Sequence, residues 1–221
     1  MTEYADKYGS NMVGKLVTGL TNSLYNGSYR VIGYNHDGSS NTYDLLTEDC
    51  VQQASSGFGG NNRHYNDANC YARKFAEETF YNAFDSSIKE HIKPMQVKYY
   101  YKDGTGVTGG TLQTTTAYGK LLSYNEVGTT YASSGNNNYD TYSYCQNDGA
   151  EGNKYPYFNA TGSTLGNLRK KKYNGSAVFW WLRSRSTGTA SGVGGIGTGG
   201  SAPSGNYNDT DRYLAPVLRI G

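Results

Sequence analysis

Phe179-Trp-Trp-Leu-Arg-Ser184, FWWLRS, closes the most apolar run of the chain, Ala177-Val-Phe-Trp-Trp-Leu182, which holds both tryptophans. A short continuous apolar run bounded by polar turn residues reads as a strand buried on both faces. The run is therefore expected to be the central core strand, with at least one tryptophan fully inside and Arg183 making a structural hydrogen bond or ion pair. About thirty small polar residues follow, and then Tyr213-Leu-Ala-Pro-Val-Leu-Arg-Ile220. This reads as the closing strand, with Pro216 placing it at an edge or a bulge because proline cannot donate to a ladder.

Upstream, Tyr29-Arg-Val-Ile-Gly-Tyr34 and Tyr43-Asp-Leu-Leu-Thr47 flank a polar turn and predict a β-hairpin. Ala72, Ala76 and Phe80 recur at i, i+4 and i+8, which predicts an amphipathic helix over 67–84 capped by Asn66 or Asp67. A second, short helix is expected from Asp85 or Ser86, carrying Ile88 and Ile92 and stopping before Pro94. Gln96–Tyr101 alternates as a strand, and 102–119 reads as turns. Lys120–Val127 reads as a strand entering a helix capped by Ser123, 129–154 as a surface insertion loop, and 155–172 as partly helical. Strands and helices mix without βα alternation and without a fixed repeat, so the class is α+β.

The 221 residues fit one domain able to bury a core. With 36% hydrophobic and 17% charged residues, the chain is filled out by Gly, Ser, Thr, Asn and 23 Tyr. A net charge of +2 gives no field that would select nucleic acid or an anionic membrane, and the one basic run, Arg169-Lys-Lys-Lys172, reads as a solvated face. The first residues carry neither a signal peptide nor a membrane span, so neither a leader nor membrane insertion is expected.

Ser191-Gly-Val-Gly-Gly-Ile-Gly-Thr-Gly-Gly200 contains G-x-G-x-x-G twice, but proline follows where a phosphate-binding helix would start, and no βαβ unit fits after it. The glycines therefore read as loop residues rather than a phosphate cradle. Cys50, Cys70 and Cys145 form no C-x-x-C pair and read as buried or free thiols. His36, His64 and His91 stand apart, without a metalloprotease, serine-hydrolase or cysteine-nucleophile signature, so neither an enzyme nor a cofactor is expected.

The ordered set Tyr29-Arg-Val-Ile-Gly33, Leu45-Leu-Thr-Glu48, Phe80-Tyr-Asn-Ala-Phe84 with Ile88, Lys120–Val127, Phe179–Ser184 and Leu214–Ile220 resembles a bacterial and phage domain family with a C-type-lectin-like fold. Some of its members are variable proteins of diversity-generating retroelements. The resemblance covers the chain from about residue 28 onward. It implies an α+β, C-type-lectin-like fold, a mixed twisted sheet with two helices and long loops, over 28–221 behind an N-terminal extension, 1–27. On that fold Trp180–Trp181 and Val217–Leu218 are expected on neighbouring core strands. It also implies a ligand-binding display protein that meets a protein or glycan receptor on a target cell surface, on a phage tail tip or a bacterial surface, as a homo-oligomer within a larger particle. The alternative is a structural domain of a virion or bacterial surface protein with no ligand of its own. Formylglycine-generating enzymes share the scaffold but use a cysteine pair near the C-terminus, and that half of this chain has only Cys145.

The resemblance marks 184–213 as the variable-region-like segment. Adenine mutagenesis of AAC or AAT codons never yields Lys, Glu, Gln, Met or Trp, and none of these occurs from Ser184 to Tyr213, so some of the glycines read as products of randomisation. The candidate ligand-binding residues are Arg185, Thr187, Thr189, Ser191, Thr198, Ser201, Asn206, Tyr207, Asn208, Asp209, Thr210, Asp211, Arg212 and Tyr213, an alphabet suited to recognition loops. Asn206, Asn208, Asp209 and Asp211 offer calcium-type oxygens, but no EF-hand or lectin calcium motif surrounds them, and no metal is assigned.

Overall fold

The computed structural model describes residues 9–59, 65, 67–101, 111–129, 151–185, 192–202, 204–206 and 208–221. Residues 130–150 of the insertion loop expected at 129–154, with Cys145, and also His64 and Asn66 lie outside them. After a 3-10 turn, Gly9–Met12, the short strand β1 (Leu16–Val17) leads to the predicted hairpin, β2 (Tyr29–Tyr34) and β3 (Tyr43–Thr47). The hairpin turn places Asn35, Asp37 and Asn41 at positive φ, which these short polar side chains tolerate. Strand β4 (Gln52–Gln53) precedes the helix α1, which runs as α-helical Tyr71–Lys74, a π turn Phe75–Thr79 and α-helical Phe80–Asn82. Ala72, Ala76 and Phe80 are its buried stripe, as their spacing requires. The helix starts after Cys70, and Asp67 does not cap it.

Helix α2 (Ser86–Lys89) begins at Asp85 as expected but is only four residues long, so Ile92 falls on β5 (Ile92–Lys93) instead. Strand β6 (Met95–Tyr101) pairs along its whole length with β7 (Thr111–Ala117), part of the stretch read as turns. Threonine repeats without alternation hid a strand whose face is largely exposed. Next come β8 (Gly119–Lys120) and a turn over 124–128. Ser123 Oγ accepts from Glu126 N–H (3.2 Å) and Glu126 Oε2 accepts from Ser123 N–H (2.9 Å), the reciprocal bonds of a capping box, yet 124–128 close a turn rather than open a helix.

Helix α3 (Gly162–Arg169) is the helical part of 155–172 and brings the helices among the described residues to three, where the resemblance implied two. Then follow β9 (Lys171–Tyr173), β10 (Ser176–Val178), β11 (Trp180–Arg185), β12 (Gly192–Ile196), β13 (Ser204–Asn206), β14 (Tyr213–Leu214) and β15 (Val217–Ile220). The apolar run at 177–182 is thus two strands broken at Phe179, and the closing segment is two strands broken at Ala215-Pro216. β11 is the middle of a five-stranded sheet ordered β13-β12-β11-β14-β4, with both tryptophans fully buried. β15 lies inside a second sheet, β1-β2-β3-β15-β5, with β8 also on β15, so it is not an edge strand. Pro216 lies in the crossing between sheets, where it needs no ladder donor. Trp180–Trp181 and Val217–Leu218 therefore stand in different sheets rather than on paired strands. The architecture is a mixed α+β fold.

Charge joins the two sheets inside the molecule. Arg183 donates to Glu126 through Nη1 (2.5 Å) and Nη2 (3.0 Å), and its remaining donors reach the carbonyls of Lys98, Leu121 and Glu151. Glu126 also accepts from Lys120 Nζ at 2.7 Å, and that ammonium lies 5.2 Å over the Tyr155 ring. Tyr155 donates to Asp44, which holds Arg219 through Nε (2.6 Å) and Nη2 (2.8 Å). Burial pushes the Glu126 carboxyl up, but Arg183 and Lys120 outweigh it and hold the group down to about 2.

The glycine run is a second departure from expectation. Every residue of β12 is buried, and the strand is held between aromatic rings rather than lying in a loop. A Cβ on Gly195 would stand 2.1 Å from the Phe179 ring, and one on Gly194 would stand 2.5 Å from the Tyr124 ring. These glycines are required by packing, whatever their codons.

Two outcomes follow for stability. Glu126→Gln removes the buried carboxylate that Arg183 and Lys120 share and is expected to cost about 3–5 kcal/mol in urea unfolding. Because the Glu126 carboxyl titrates near 4.5 unfolded and about 2 folded, the stability it confers is complete above pH 4.5 and is lost as pH falls through 2. Gly195→Ala should cost about 1–3 kcal/mol through overpacking. Gly199→Ala should stay within about 0.5 kcal/mol, because no atom lies within 4 Å of the added carbon. Equal costs for the two glycines would remove the packing explanation.

Candidate binding surface

The turn after β13 returns to the sheet at β14, and its geometry follows from four anchors. Ala54 N–H donates to Arg212 O (2.7 Å), Gln53 Nε2 donates to Thr210 O (2.7 Å), Tyr213 pairs with Gln53 across β14 and β4, and the Tyr213 ring lies 4.8 Å from that of Tyr173. The Arg212 guanidinium sits 4.1 Å over the Phe179 ring. Phe179 meets Trp181 edge-on at 5.6 Å, and Trp181 meets Phe58 in the same way at 5.6 Å. A column of four side chains thus ties the exposed turn to the centre of the core, by cation–π contact at the surface and T-shaped ring contact below.

Asp211 and Asp209 face Arg212 at 2.6 and 3.3 Å, so the carboxylates considered for calcium are charge-paired with an arginine. Among the described residues no three of His, Cys, Asp and Glu come together as a metal-holding group. No described helix is long and apolar enough to cross a membrane.

Of the candidate residues, Thr198, Ser201, Asn208, Thr210 and Asp211 are exposed, and Asp209, Arg212 and Tyr213 are half-buried. Residues 208–212 form one continuous turn leading into Tyr213 on β14, and Thr198 and Ser201 stand on a second turn after β12. Arg185 and Asn206 lie on β11 and β13, on either side of β12. Thr187, Thr189, Ser191 and Tyr207 lie outside the described residues.

The expected buried thiols are found at Cys50 and Cys70, where burial pushes both up to about 12. His36 is buried with its ring stacked 3.8 Å from that of Tyr155, and Nε2 bonds Asn153 O at 3.0 Å, while His91 is exposed. Sequence reading missed Phe179 and Tyr173 as supports of the turn, because an aromatic residue in an apolar run gives no sign of which face it serves. It also missed Arg169, whose place at the end of α3 sets it apart from the lysines that follow.

No curated protein and no solved structure matches the chain. One family model does, described as a domain of unknown function (DUF6273), over residues 40–220. That span takes in Asp44, Lys120, Glu126, Arg183 and Arg219, the whole interior charge chain, together with both turns of the candidate surface. The chain belongs to the DUF6273 family.

Proposed function

We propose that this chain is a non-catalytic binding module with a C-type-lectin-like fold that presents 185–213 to a protein or glycan receptor on a target cell, as part of a phage tail or a bacterial surface. The observation that carries the reading is the separation of roles in its C-terminal third. Exposed hydroxyl, amide and carboxylate groups stand at Thr198 and Ser201 on one turn, and at Asn208, Thr210 and Asp211 on another that Arg212 and Phe179 brace against the fully buried Trp181. Binding residues concentrate on loops held by rigid scaffolds, because the frame absorbs the ordering cost in advance. The mixed α+β architecture and the motif order described above support the fold assignment, while the placement of Trp180–Trp181 and Val217–Leu218 in different sheets counts against it.

Diversification by a retroelement is the finer part of the proposal. It would confine variation to the exposed positions, since a side chain at Gly194 or Gly195 would press into an aromatic ring. A neighbouring reverse transcriptase gene and a near-identical repeat differing at adenines would support it. A structural domain without a ligand would have neither.

Alanine at Asn208, Thr210 or Asp211 should shift unfolding free energy by less than about 0.5 kcal/mol each. The same changes should weaken binding to target cells severalfold. Arg212→Ala should cost about 0.5–2 kcal/mol, because its guanidinium covers Phe179. Trp180→Ala should cost about 3–5 kcal/mol, since it empties a site with no exposed surface. Thermal melts beside a cell-binding assay read both sets. Turn substitutions that leave binding intact would contradict the proposal.

A further inference from the structure

The basic run Arg169–Lys172, expected to be a solvated face, is divided by the fold. Lys170 and Lys172 are exposed, whereas Lys171 is buried with its ammonium held by the carbonyls of Thr47 and Glu48. Arg169 is 8% exposed and closes α3. Its Nε donates to Val127 O at 2.9 Å, but no carboxylate faces it and neither Nη has an acceptor among the described residues. Neither Nη is sealed from solvent. A guanidinium largely withdrawn from water, with its Nη groups still reachable and no carboxylate beside it, is a ready donor for an anion that enters there.

Such an entry exists. A cleft of about 390 Å³ is lined on one side by Ser163, Asn167 and Arg169 of α3 with Lys170 just after it, and on the other by the turn that carries Gly199 and Ser201. No carboxylate among the described residues lines it, and Arg169 and Lys170 make its lining positive. The walls meet where Gly200, at φ +85°, lies against Gly166, a contact in which an added Cβ would stand 2.0 Å from a carbonyl oxygen. Beside that junction Gly199 leaves open space. Lys170 Nζ donates to Asn167 Oδ1 at 2.9 Å, which leaves the Asn167 amide nitrogen free to donate outward.

We propose that this cleft binds an acidic saccharide: Arg169 and Lys170 take the carboxylate of a sugar unit, and Ser163, Asn167 and Ser201 take its hydroxyls. The proposal rests on the binding-module reading and adds a ligand class to it, with Ser201 shared between the cleft and the candidate surface. A cation pair selects the charge, and the hydroxyl and amide groups select a polyol over a bare ion. The glycines keep the walls low enough for a ring to enter.

The test uses the intact chain in calorimetric titrations with a glucuronate-containing tetrasaccharide, its carboxyl-reduced neutral counterpart and inorganic sulfate. The acidic saccharide should bind about tenfold or more tightly than the neutral one, as expected for hydrogen bonds to a charged group. Binding should weaken as sodium chloride is raised to about 1 M, where screening is short-ranged. Arg169→Gln should abolish the preference for the acidic sugar. Gly199→Leu should block binding with an unchanged melting temperature, which keeps the test valid if Arg169→Gln is unstable. Equal binding of the acidic and neutral sugars, indifference to both substitutions, or sulfate bound as tightly as the acidic saccharide would overturn the proposal. Cell binding by the same preparations separates the two readings. If cells are bound through Asn208, Thr210 and Asp211 while the acidic saccharide is not, the cleft assignment alone fails. If the saccharide binds but the turn substitutions leave cell binding unchanged, the turn reading alone fails.

Discussion

The guanidinium of Arg183 meets the carboxylate of Glu126 where neither side chain has any access to water. A pair so placed is tolerable only if every remaining donor and acceptor is also met. That condition is what ties distant segments together. Arg183 recruits the carbonyls of Lys98, Leu121 and Glu151, and Glu126 recruits Lys120 and the amide of Ser123. Through Tyr155 the chain of contacts reaches Asp44 and Arg219 in the other sheet. A register slip of one residue in β11 or β15 would turn one of these arginines to the opposite face and leave a buried carboxylate unpaired. The network therefore serves less as a source of net stability than as a condition selecting one arrangement of the two sheets.

Around this interior the small residues take on distinct tasks. In β12 they allow two aromatic rings to cover a strand at contact distance, and Gly119 allows β8 to approach the π turn of α1, where an added Cβ would stand 2.2 Å from Ala76 O. At 198–201 and 208–212, by contrast, the backbone turns outward and polar side chains face water. The Arg212–Phe179–Trp181–Phe58 column couples one of these turns to the core without burying its hydrogen-bonding groups. The polar groups at the rim are thus ones that the interior does not need.

Much of the frame was legible in the sequence because periodicity reports burial. The Tyr29–Tyr34 and Tyr43–Thr47 hairpin, the Ala72–Ala76–Phe80 stripe and the burial of both tryptophans follow directly from spacing and side-chain chemistry. What was not legible depended on partners distant in the chain. Thr111–Ala117 has no alternation, and only pairing with Met95–Tyr101 makes it a strand. The breaks at Phe179 and Pro216 reflect two sheets competing for one apolar segment each, and a local pattern shows one run where tertiary packing makes two. The glycines of β12 looked like loop residues because a missing side chain records nothing of the ring that fills its place. At the candidate site, residue types suited to recognition were visible, but the unpaired Arg169 was hidden in a run of lysines that look alike until the fold separates them.

Amide hydrogen exchange on the native chain, read residue by residue, addresses most directly the claim that a frame fixed by buried charge carries an energetically separate polar rim. The account predicts that the amides of Trp181, Arg183 and Leu218 exchange only through global unfolding, with a protection that falls in parallel as denaturant is added, while those of Thr198 and 208–211 exchange through local opening at far lower cost. Protection of the rim turns equal to that of Arg183, or an Arg183 amide that opens independently of Leu218, would contradict it.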